Sequence, residues 1–317
     1  MSAVDTTAAR AERILVERGR RPRHKLRDTW WRHVAGIVAM LFAFFPIAYV
    51  ISAAFNADQS LSGSSLIPTH VTLDNFRELF RTEAATTEAG AHSTFAAANY
   101  VRWFFNTLVV AGVSAFLTVI LGALSAYAFS RFRFRGRRPG MLFLLLIQMF
   151  PQLLSLVAIY LIVFQTGEVF HVLGLNTLTG LIVVYLGGAM GVNTWLMKGF
   201  FDTIPSELDE SARVDGATPA QVFWGVVLPL AAPVLAVIGL ISFVTTMNDF
   251  ILASVLLQTT DNYTLAVGMQ QFIDQKYAEH WGPFAAGVLI ASLPAILLFT
   301  ATQKYIVGGL TQGSVKG

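Results

Sequence analysis

Long apolar stretches alternate with short polar segments along this chain. Six stretches contain no Asp, Glu, Lys or Arg, and they lie at residues 34–55, 103–130, 141–164, 178–197, 226–247 and 282–303. Each has about 20 residues or more, the length that a helix needs to cross about 30 Å of hydrocarbon. Backbone groups in lipid must be hydrogen-bonded within their own segment, so such stretches are expected to be helical. The pattern predicts an all-α polytopic membrane protein with six transmembrane helices.

The composition favours the same class of protein. Hydrophobic residues make up 55% of the chain and charged residues 13%, with a mean hydropathy of +0.59, whereas soluble domains carry about 25% charged residues. The alternative, a large soluble core, does not explain six long uncharged stretches in one chain. The chain has no cysteine, which excludes disulfides, thiol chemistry and cysteine-ligated metals.

Positive charge is distributed unequally between the two sides of the predicted membrane. With six spans, eighteen Lys and Arg residues fall on the face that carries both termini, and four fall on the other face. This asymmetry predicts that both termini are cytoplasmic and that the protein lies in the plasma membrane among lipid. The sequence pI of about 9.3 is therefore interpreted as a topology signal, and no nucleic-acid partner is expected.

The remaining organisation follows from this topology. We expect a basic cytoplasmic tail at 1–33 and a first span at 34–55, which is too long for a cleavable signal. An external loop follows at 56–101, and its "TLDNFRELF" predicts a short amphipathic helix capped by Thr72 or Asp74. A permease core at 102–306 contains a second external loop at 258–281. A cytoplasmic tail at 307–317 ends the chain.

The segment "ELDESARVDGATPAQVFWGVVLP" interrupts the apolar pattern between the fourth and fifth spans. Ser206 is an expected helix N-cap, and acidic residues follow it in the first turn, where they suit the positive end of the helix dipole. Gly216 stands where a left-handed C-terminal turn is expected. Thr218 and Pro219 then predict the cap and first residue of the next helix. From these residues alone, a helix at 206–216 that docks onto another protein and a plain connector are equally supported.

Resemblance to a known family favours docking. Glu210-Ser211-Ala212, three residues, Gly216, nine residues and "VVLP" resemble the "EAA" signature of ATP-binding-cassette importer permeases. Ser211 and Val226 differ from the family pattern by small changes. From about residue 103 onward, the chain resembles MalG-type permease subunits of maltose and maltodextrin importers. The stretches that carry this similarity are "AYAFSRFRFRG", "MFPQLLSLVAIY", "GLNTLTG", "YTLAVGMQQF" and "GLTQGSVKG".

The resemblance implies partners and a mechanism. They are a MalF-like second permease, a homodimeric MalK-like ATPase that binds ATP and Mg, and an extracytoplasmic sugar-binding protein. This chain itself is expected to hold no cofactor or metal and to catalyse no covalent reaction. Closure of the ATPase pair would move a coupling helix at 206–216, with Glu210 as polar anchor and Gly216 as close-approach turn. The implied coupling residues are Glu210, Ser211, Ala212, Asp215 and Gly216.

Two further contact regions come from the resemblance. A loop that contacts the binding protein is implied at Thr259, Thr260, Asp261, Asn262 and Tyr263. A tail that contacts the ATPase is implied at Gln312, Gly313, Ser314 and Lys316.

Candidate residues of the transport pathway come from the polar groups within apolar stretches, because intramembrane ionisable residues are commonly functional. Asp249 stands at the end of such a stretch, beside Asn248, and Gln148 and Gln152 lie in the third span. For Asp249 three roles remain open: lining the sugar path, pairing with a partner subunit, or a satisfied structural position at the external interface.

Other functions are less well supported. An ion-coupled secondary transporter would need more intramembrane carboxylates, and an intramembrane hydrolase would need a nucleophile and base that do not assemble here. The chain lacks a GxxxxGK[ST] phosphate-binding loop, so ATP must bind elsewhere. A membrane scaffold would not explain the coupling signature. Trehalose or another sugar remains an alternative to maltose and maltodextrin as substrate.

Overall fold

A computed structural model describes residues 26–57, 70–80, 91–273 and 281–312, without the side chains of 26–29, 91–98, 152 and 306–312. The described helices, in chain order, are α1 (Leu26–Phe55), α2 (Asp74–Leu79), α3 (Ala91–Arg131), α4 (Arg137–Gln148), α5 (Gln152–Val169), α6 (Leu178–Phe201), α7 (Ser206–Val214), α8 (Pro219–Val222), α9 (Leu228–Leu230), α10 (Ala232–Met247), α11 (Ile251–Leu256), α12 (Leu265–Met269) and α13 (Trp281–Gln312). Single 3-10 turns and one π-helical turn join them. The prediction of an all-α fold is confirmed for the described residues, which contain one isolated β-bridge, Asn56–Val71.

Four helices in the described ranges are long and apolar enough to cross a membrane by themselves, and they correspond to predicted spans one, two, four and six. Two bent helix pairs complete a set of up to six. The pair α4 and α5 is bent by 104° and corresponds to the third predicted span. The helical segments Pro219–Leu230 and Ala232–Met247 are bent by 77° and correspond to the fifth. Six spans are therefore present only if each bent pair crosses the membrane as one unit.

Proline chemistry accounts for both bends. Pro151 is the N-cap of α5, with extended backbone (φ −61°, ψ 117°), so the chain turns between Gln148 and Gln152. Pro229 and Pro233 stand on either side of the second break, at Ala231, and neither has an N–H to donate back along the helix. The turn before Pro229, Phe223–Val227, is π-helical. A bent membrane helix is tolerated where its freed backbone groups lie against other protein segments or a cavity.

The chain divides into two units, residues 1–50 and 51–317. In the first, the described residues form the greater part of α1, with Pro46 inside the helix. In the second, α3 packs along α6 and α10, and α10 packs along α13. A buried cluster that includes Tyr127, Met197, Phe201, Val222 and Phe223 joins α3 and α6 to the α7–α8 region.

Two predicted helix caps are wrong. Leu73 is the N-cap of α2 and makes no side-chain cap bond, while the Thr72 hydroxyl donates to the Asp74 carboxylate at 2.8 Å. Pro205 is the N-cap of α7, which makes Ser206 the first helical residue. Neither Leu73 nor Pro205 has a side-chain acceptor. At the start of α2, the Thr72 hydroxyl instead accepts from the Asp74 N–H at 3.1 Å.

Candidate functional site

The predicted coupling residues lie together on a short surface helix and the turn after it. Glu210, Ser211, Asp215 and Gly216 are exposed, and Ala212 is half-buried against the cluster of α3, α6 and α8. Their neighbour Asp209 is buried, with 3% of its surface exposed. The helix therefore turns Asp209 toward the protein and Glu210 toward the surface.

The turn after α7 has a fixed geometry. Gly216 adopts φ +86°, a left-handed conformation that costs glycine little. The Ala217 N–H donates to the Ala212 carbonyl at 2.9 Å, which closes the turn across the end of the helix. Thr218 and Gln221 then form a reciprocal capping box at the start of α8, with Pro219 as its first residue. The left-handed turn at 216 and the cap and proline of α8 confirm the sequence prediction, and they hold α7 at a defined angle to α8.

A buried ion pair that the sequence analysis missed fixes the inner side of α7. Arg131, the last residue of α3, places its Nε 2.8 Å from Oδ2 of Asp209, with 10% and 4% of the two side chains exposed. The Nη2 of Arg131 also donates to the Ile204 carbonyl at 2.9 Å. The only sequence signal was the position of Arg131 at the end of an apolar stretch. Its partner is 78 residues away in a run of several acids.

A second polar cluster lies next to this ion pair. The Ser130 hydroxyl donates to Oδ1 of Asp202 at 2.7 Å, and Lys198 pairs with Oδ2 of the same carboxylate. Burial opposes ionisation, but the hydrogen bonds from Lys198 and Ser130 lower the pKa of Asp202 below its ordinary value. Arg137 donates to the Ser130 carbonyl at 3.2 Å. The ends of α3 and α6 and the start of α4 are thus held together beside α7.

The loop at Thr259–Tyr263 lies at the opposite end of α3, since residues 102 and 131 of one helix are about 44 Å apart. Asn176 organises this loop from an unusual backbone conformation, φ +58°. Its side-chain oxygen accepts from the Gln258 N–H at 3.0 Å and from the Thr259 N–H at 2.9 Å. The Asn262 amide donates back to the Asn176 carbonyl at 2.7 Å.

Residues near the start of α3 hold the same loop from its other side. Arg102 pairs with Asp261 at 2.7 Å, and the Trp103 indole donates to the Thr260 carbonyl at 2.7 Å. The Asn106 amide donates to the carbonyls of Asp261 and Tyr263. The predicted contact loop is therefore a fixed feature of the surface, and several of its polar groups are engaged within this chain.

A cavity of about 1110 Å³ lies among α3, α4, α5, α6 and α10. Its lining is mainly apolar. The bend between α4 and α5 contributes to it through Met149–Pro151, and Asp249 lines it from just after the end of α10. Pockets for small ligands measure about 300–1,000 Å³, so the cavity has room for a disaccharide or a somewhat larger molecule. It lies between the α7 end and the loop at Thr259–Tyr263, where a transport pathway is required.

Neutral polar groups and one carboxylate line this cavity. The lining includes Ser114, Thr118, Gln148, Tyr185, Asn193, Ser242, Thr245, Thr246 and Asp249. The Ser114 hydroxyl is buried, and no described residue forms a hydrogen bond with it. The Gln148 amide donates to the Gly188 carbonyl at 2.7 Å. The cavity thus offers hydroxyl and amide groups within an apolar wall, a mixture that suits a hydroxylated ligand.

The other predicted pathway and tail residues are placed as follows. Asp249 lies just after α10, and its Oδ1 accepts from the N–H groups of Leu252 and Ala253, so it also caps α11. Asn248 is exposed, and its amide donates to the Val244 carbonyl rather than into the cavity. The side chains of Gln152 and Gln312, and the residues Gly313, Ser314 and Lys316, lie outside the described part of the chain.

A multi-span helical chain with a cavity at one of its bends and a rigid capped helix at its surface is the arrangement of a membrane permease. Residues 118–311 match the family model described as binding-protein-dependent transport system inner membrane component. The chain belongs to this family, and the predicted resemblance to MalG-type importer permeases is confirmed. It is accordingly a multi-pass membrane protein.

Individual relatives resemble nearly the whole chain. The maltose/maltodextrin transport system permease protein MalG of Vibrio parahaemolyticus is 40% identical over 91% of this chain and 96% of its own length. MalG of Escherichia coli K12 is 39% identical over 90% and 95%. The galactooligosaccharides transport system permease protein GanQ of Bacillus subtilis is 37% identical over 86% and 90%.

A solved structure shares the fold. The crystal structure of a bacterial ABC transporter involved in the import of the acidic polysaccharide alginate contains a chain that matches with a TM-score of 0.68. The match covers 90% of this chain and 99% of that chain, at 23% sequence identity. At this identity the likeness concerns the fold alone.

Proposed function

We propose that this chain is the MalG-type permease subunit of an ATP-driven importer that carries neutral oligosaccharides of the maltodextrin type. The observation that carries the proposal is the exposed, rigidly capped helix α7 with the coupling signature on its surface, in a chain that matches MalG relatives over 90% of its length. A helix that is capped at its turn and buried on its inner side transmits a displacement without unfolding.

The proposal includes an orientation and a set of partners. Both termini and α7 lie on the cytoplasmic side, as the distribution of Lys and Arg predicts. There α7 seats in a homodimeric MalK-like ATPase, which binds ATP and Mg, and the tail at 307–317 contacts the same pair. A MalF-like permease completes the pathway, and an extracytoplasmic sugar-binding protein docks at the end that carries Thr259–Tyr263.

A neutral sugar fits the cavity better than an acidic one. The lining residues include no Lys or Arg, and Asp249 is their one charged side chain. A carboxylated sugar near Asp249 would meet like charge in a region of low dielectric, which is unfavourable. Hydroxyl and amide groups such as Ser114 and Asn193 instead match the hydrogen-bonding pattern of a neutral sugar. The similarity to GanQ makes a galactooligosaccharide the second candidate substrate, and trehalose stays a further one.

The experiment is ATPase activity of the reconstituted assembly, stimulated by binding protein loaded with maltotriose, a galactotriose or trehalose. We expect maltotriose to give the largest stimulation. We expect Glu210→Ala to abolish most of that stimulation while the assembly copurifies intact, because Glu210 is exposed on α7. Glu207→Ala is the matched control, since it removes the same charge from the first turn of the same helix. Full stimulation with Glu210→Ala would reduce α7 to a connector between two spans.

The role of Asp249 needs a substitution that preserves its capping bonds. Asp249→Ala removes both the charge and the acceptor for Leu252 and Ala253, which costs about 1 kcal/mol as a lost cap. Asp249→Asn retains the acceptor and removes only the charge. We expect Asp249→Asn to leave assembly unchanged and to reduce maltotriose uptake. Uptake at the wild-type rate would remove the Asp249 charge from the pathway.

A further inference from the structure

No short loop joins α3 to α7, whereas short loops join α7 to α6 and to α8. The chain joins α6 to α7 through Asp202–Pro205, and α7 to α8 through Asp215–Thr218. Any movement of α7 therefore reaches α6 and α8 through the backbone. It reaches α3 only through contacts between groups distant in sequence.

Arg131 supplies such a contact at two points. Its Nε lies 2.8 Å from Asp209 inside α7, an ion pair in which no described residue donates a hydrogen bond to the Asp209 carboxylate. Its Nη2 donates to the carbonyl of Ile204 just before α7. The rigid guanidinium thus holds α7 by charge and the entry segment by a hydrogen bond. Asp209 is the buried residue of α7, while the rest of the acidic run faces the surface. The pair is thus placed for a structural connection and not for contact with another protein.

We propose that the Arg131–Asp209 ion pair is the joint that makes α7 and α3 move as one rigid body. The proposal rests on the proposed function, in which α7 receives the movement of an ATPase. Arg131 and Asp209 are positioning residues, since they act through the helices that they connect.

Because α3 extends from α7 to the loop at Thr259–Tyr263, this joint connects α7 to distant parts of the protein. Ser114 and Thr118 of α3 line the cavity, and Arg102, Trp103 and Asn106 hold the loop at Thr259–Tyr263. One helix therefore contacts α7, the cavity wall and the opposite end of the protein. A displacement that passes from α7 to α3 moves the cavity wall and the far loop in the same step.

A neutral double variant, Arg131→Gln with Asp209→Asn, tests the joint without leaving one buried charge unpaired. In the reconstituted assembly we expect sugar transported per ATP hydrolysed to fall about tenfold, within the range of typical coupling energies. Asp209→Glu, which retains the charge, is expected to recover most of this ratio, and Glu207→Gln is the control for loss of charge on the same helix. A proportional fall in transport and ATPase activity would indicate a role in assembly only and would overturn the proposal.

A distance measurement tests the same joint independently of the sugar. The chain contains no cysteine, so spin labels can be attached only where cysteines are introduced, at the exposed positions Val214 on α7 and Val113 on α3. In the assembly with wild-type Arg131 and Asp209, we expect one narrow distance that is the same without nucleotide and with trapped nucleotide. In the double variant we expect a broad distribution or a nucleotide-dependent shift of more than about 2 Å, the scale of helix shifts at interfaces.

The two readouts separate the joint from the transport assignment. Equal distance distributions in both proteins, or a nucleotide-dependent distance in the wild type, would refute the rigid connection whatever sugar is carried. A rigid wild-type pair in an assembly that no tested sugar stimulates would instead refute the proposed substrate class and leave the joint supported.

Discussion

The substitution Gly268→Ala tests the packing that holds α12 against α3. A Cβ at position 268 would lie 2.1 Å from Cε3 and 2.2 Å from Cδ2 of Trp103. Trp103 is fully buried, and its indole N–H donates to the Thr260 carbonyl. The ring has no room to retreat without losing that bond.

The expected cost follows from these two effects. Overpacking a core costs about 1–3 kcal/mol, and a buried N–H left without its acceptor costs about 1–3 kcal/mol more. We therefore expect Gly268→Ala to lower the free energy of unfolding by about 2–6 kcal/mol. For a protein of this size, that corresponds to a fall of roughly 3–9 °C in the thermal midpoint.

The assay is thermal unfolding of the purified protein in detergent, followed by tryptophan fluorescence and by loss of monodisperse protein. Gly112→Ala is the matched control, since it lies in α3 and a Cβ there meets no atom within 4 Å. We expect this control to melt at or slightly above the wild-type midpoint, because alanine favours a helix over glycine. A midpoint for Gly268→Ala within about 2 °C of the wild type would refute the packing argument.

Three further predictions concern the ends of the bundle. Asn176→Ala should cost about 1–3 kcal/mol and increase hydrogen exchange at 258–263, because it removes the acceptor of the loop N–H groups and places alanine at a positive φ; protection equal to the wild type would refute this. Thr218→Ala should lower stability by about 1 kcal/mol by removing the α8 capping box, whereas Thr218→Ser should retain most of it in the same thermal assay. Burial raises the pKa of Asp202, but the hydrogen bonds from Lys198 and Ser130 outweigh it and lower the pKa below its ordinary value of 3.8. The ionised carboxylate therefore stabilises the fold above pH 3.8, and this stabilisation is lost as the pH falls through the lowered pKa of the folded state. The wild type should lose more of its thermal midpoint than Asp202→Asn as pH falls from 5 toward 3, and equal losses would contradict the assignment.

The α7 region shows how far local patterns predict structure. The left-handed turn at Gly216 and the cap of α8 depend on backbone preferences of a few adjacent residues, so both were predicted correctly. Local patterns did not predict which of Asp209 and Glu210 is buried. They are neighbouring acids with similar local preferences, and only the packing of α7 against α3 and α8 decides that the first is buried and the second exposed.

The loop at Thr259–Tyr263 makes the same point at the other end. Its polar residues indicated that the loop can form hydrogen bonds, but the sequence did not indicate which residues would be the partners. Asn176 and Arg102 occupy much of that capacity from positions that are 83 and 159 residues away. Contacts over such separations follow from the fold and leave no local pattern.

The sequence by itself determined that this protein spans a membrane through helices and that a capped helix stands between the fourth and fifth spans. These features depend on hydrophobic length and on local backbone chemistry, which residues within about one or two helical turns decide. The tertiary structure alone decided which polar groups are paired, where the cavity lies, and that Arg131 holds α7 to α3. A buried charge is stable only beside its partner, and the packing of the helices determines which residues become partners.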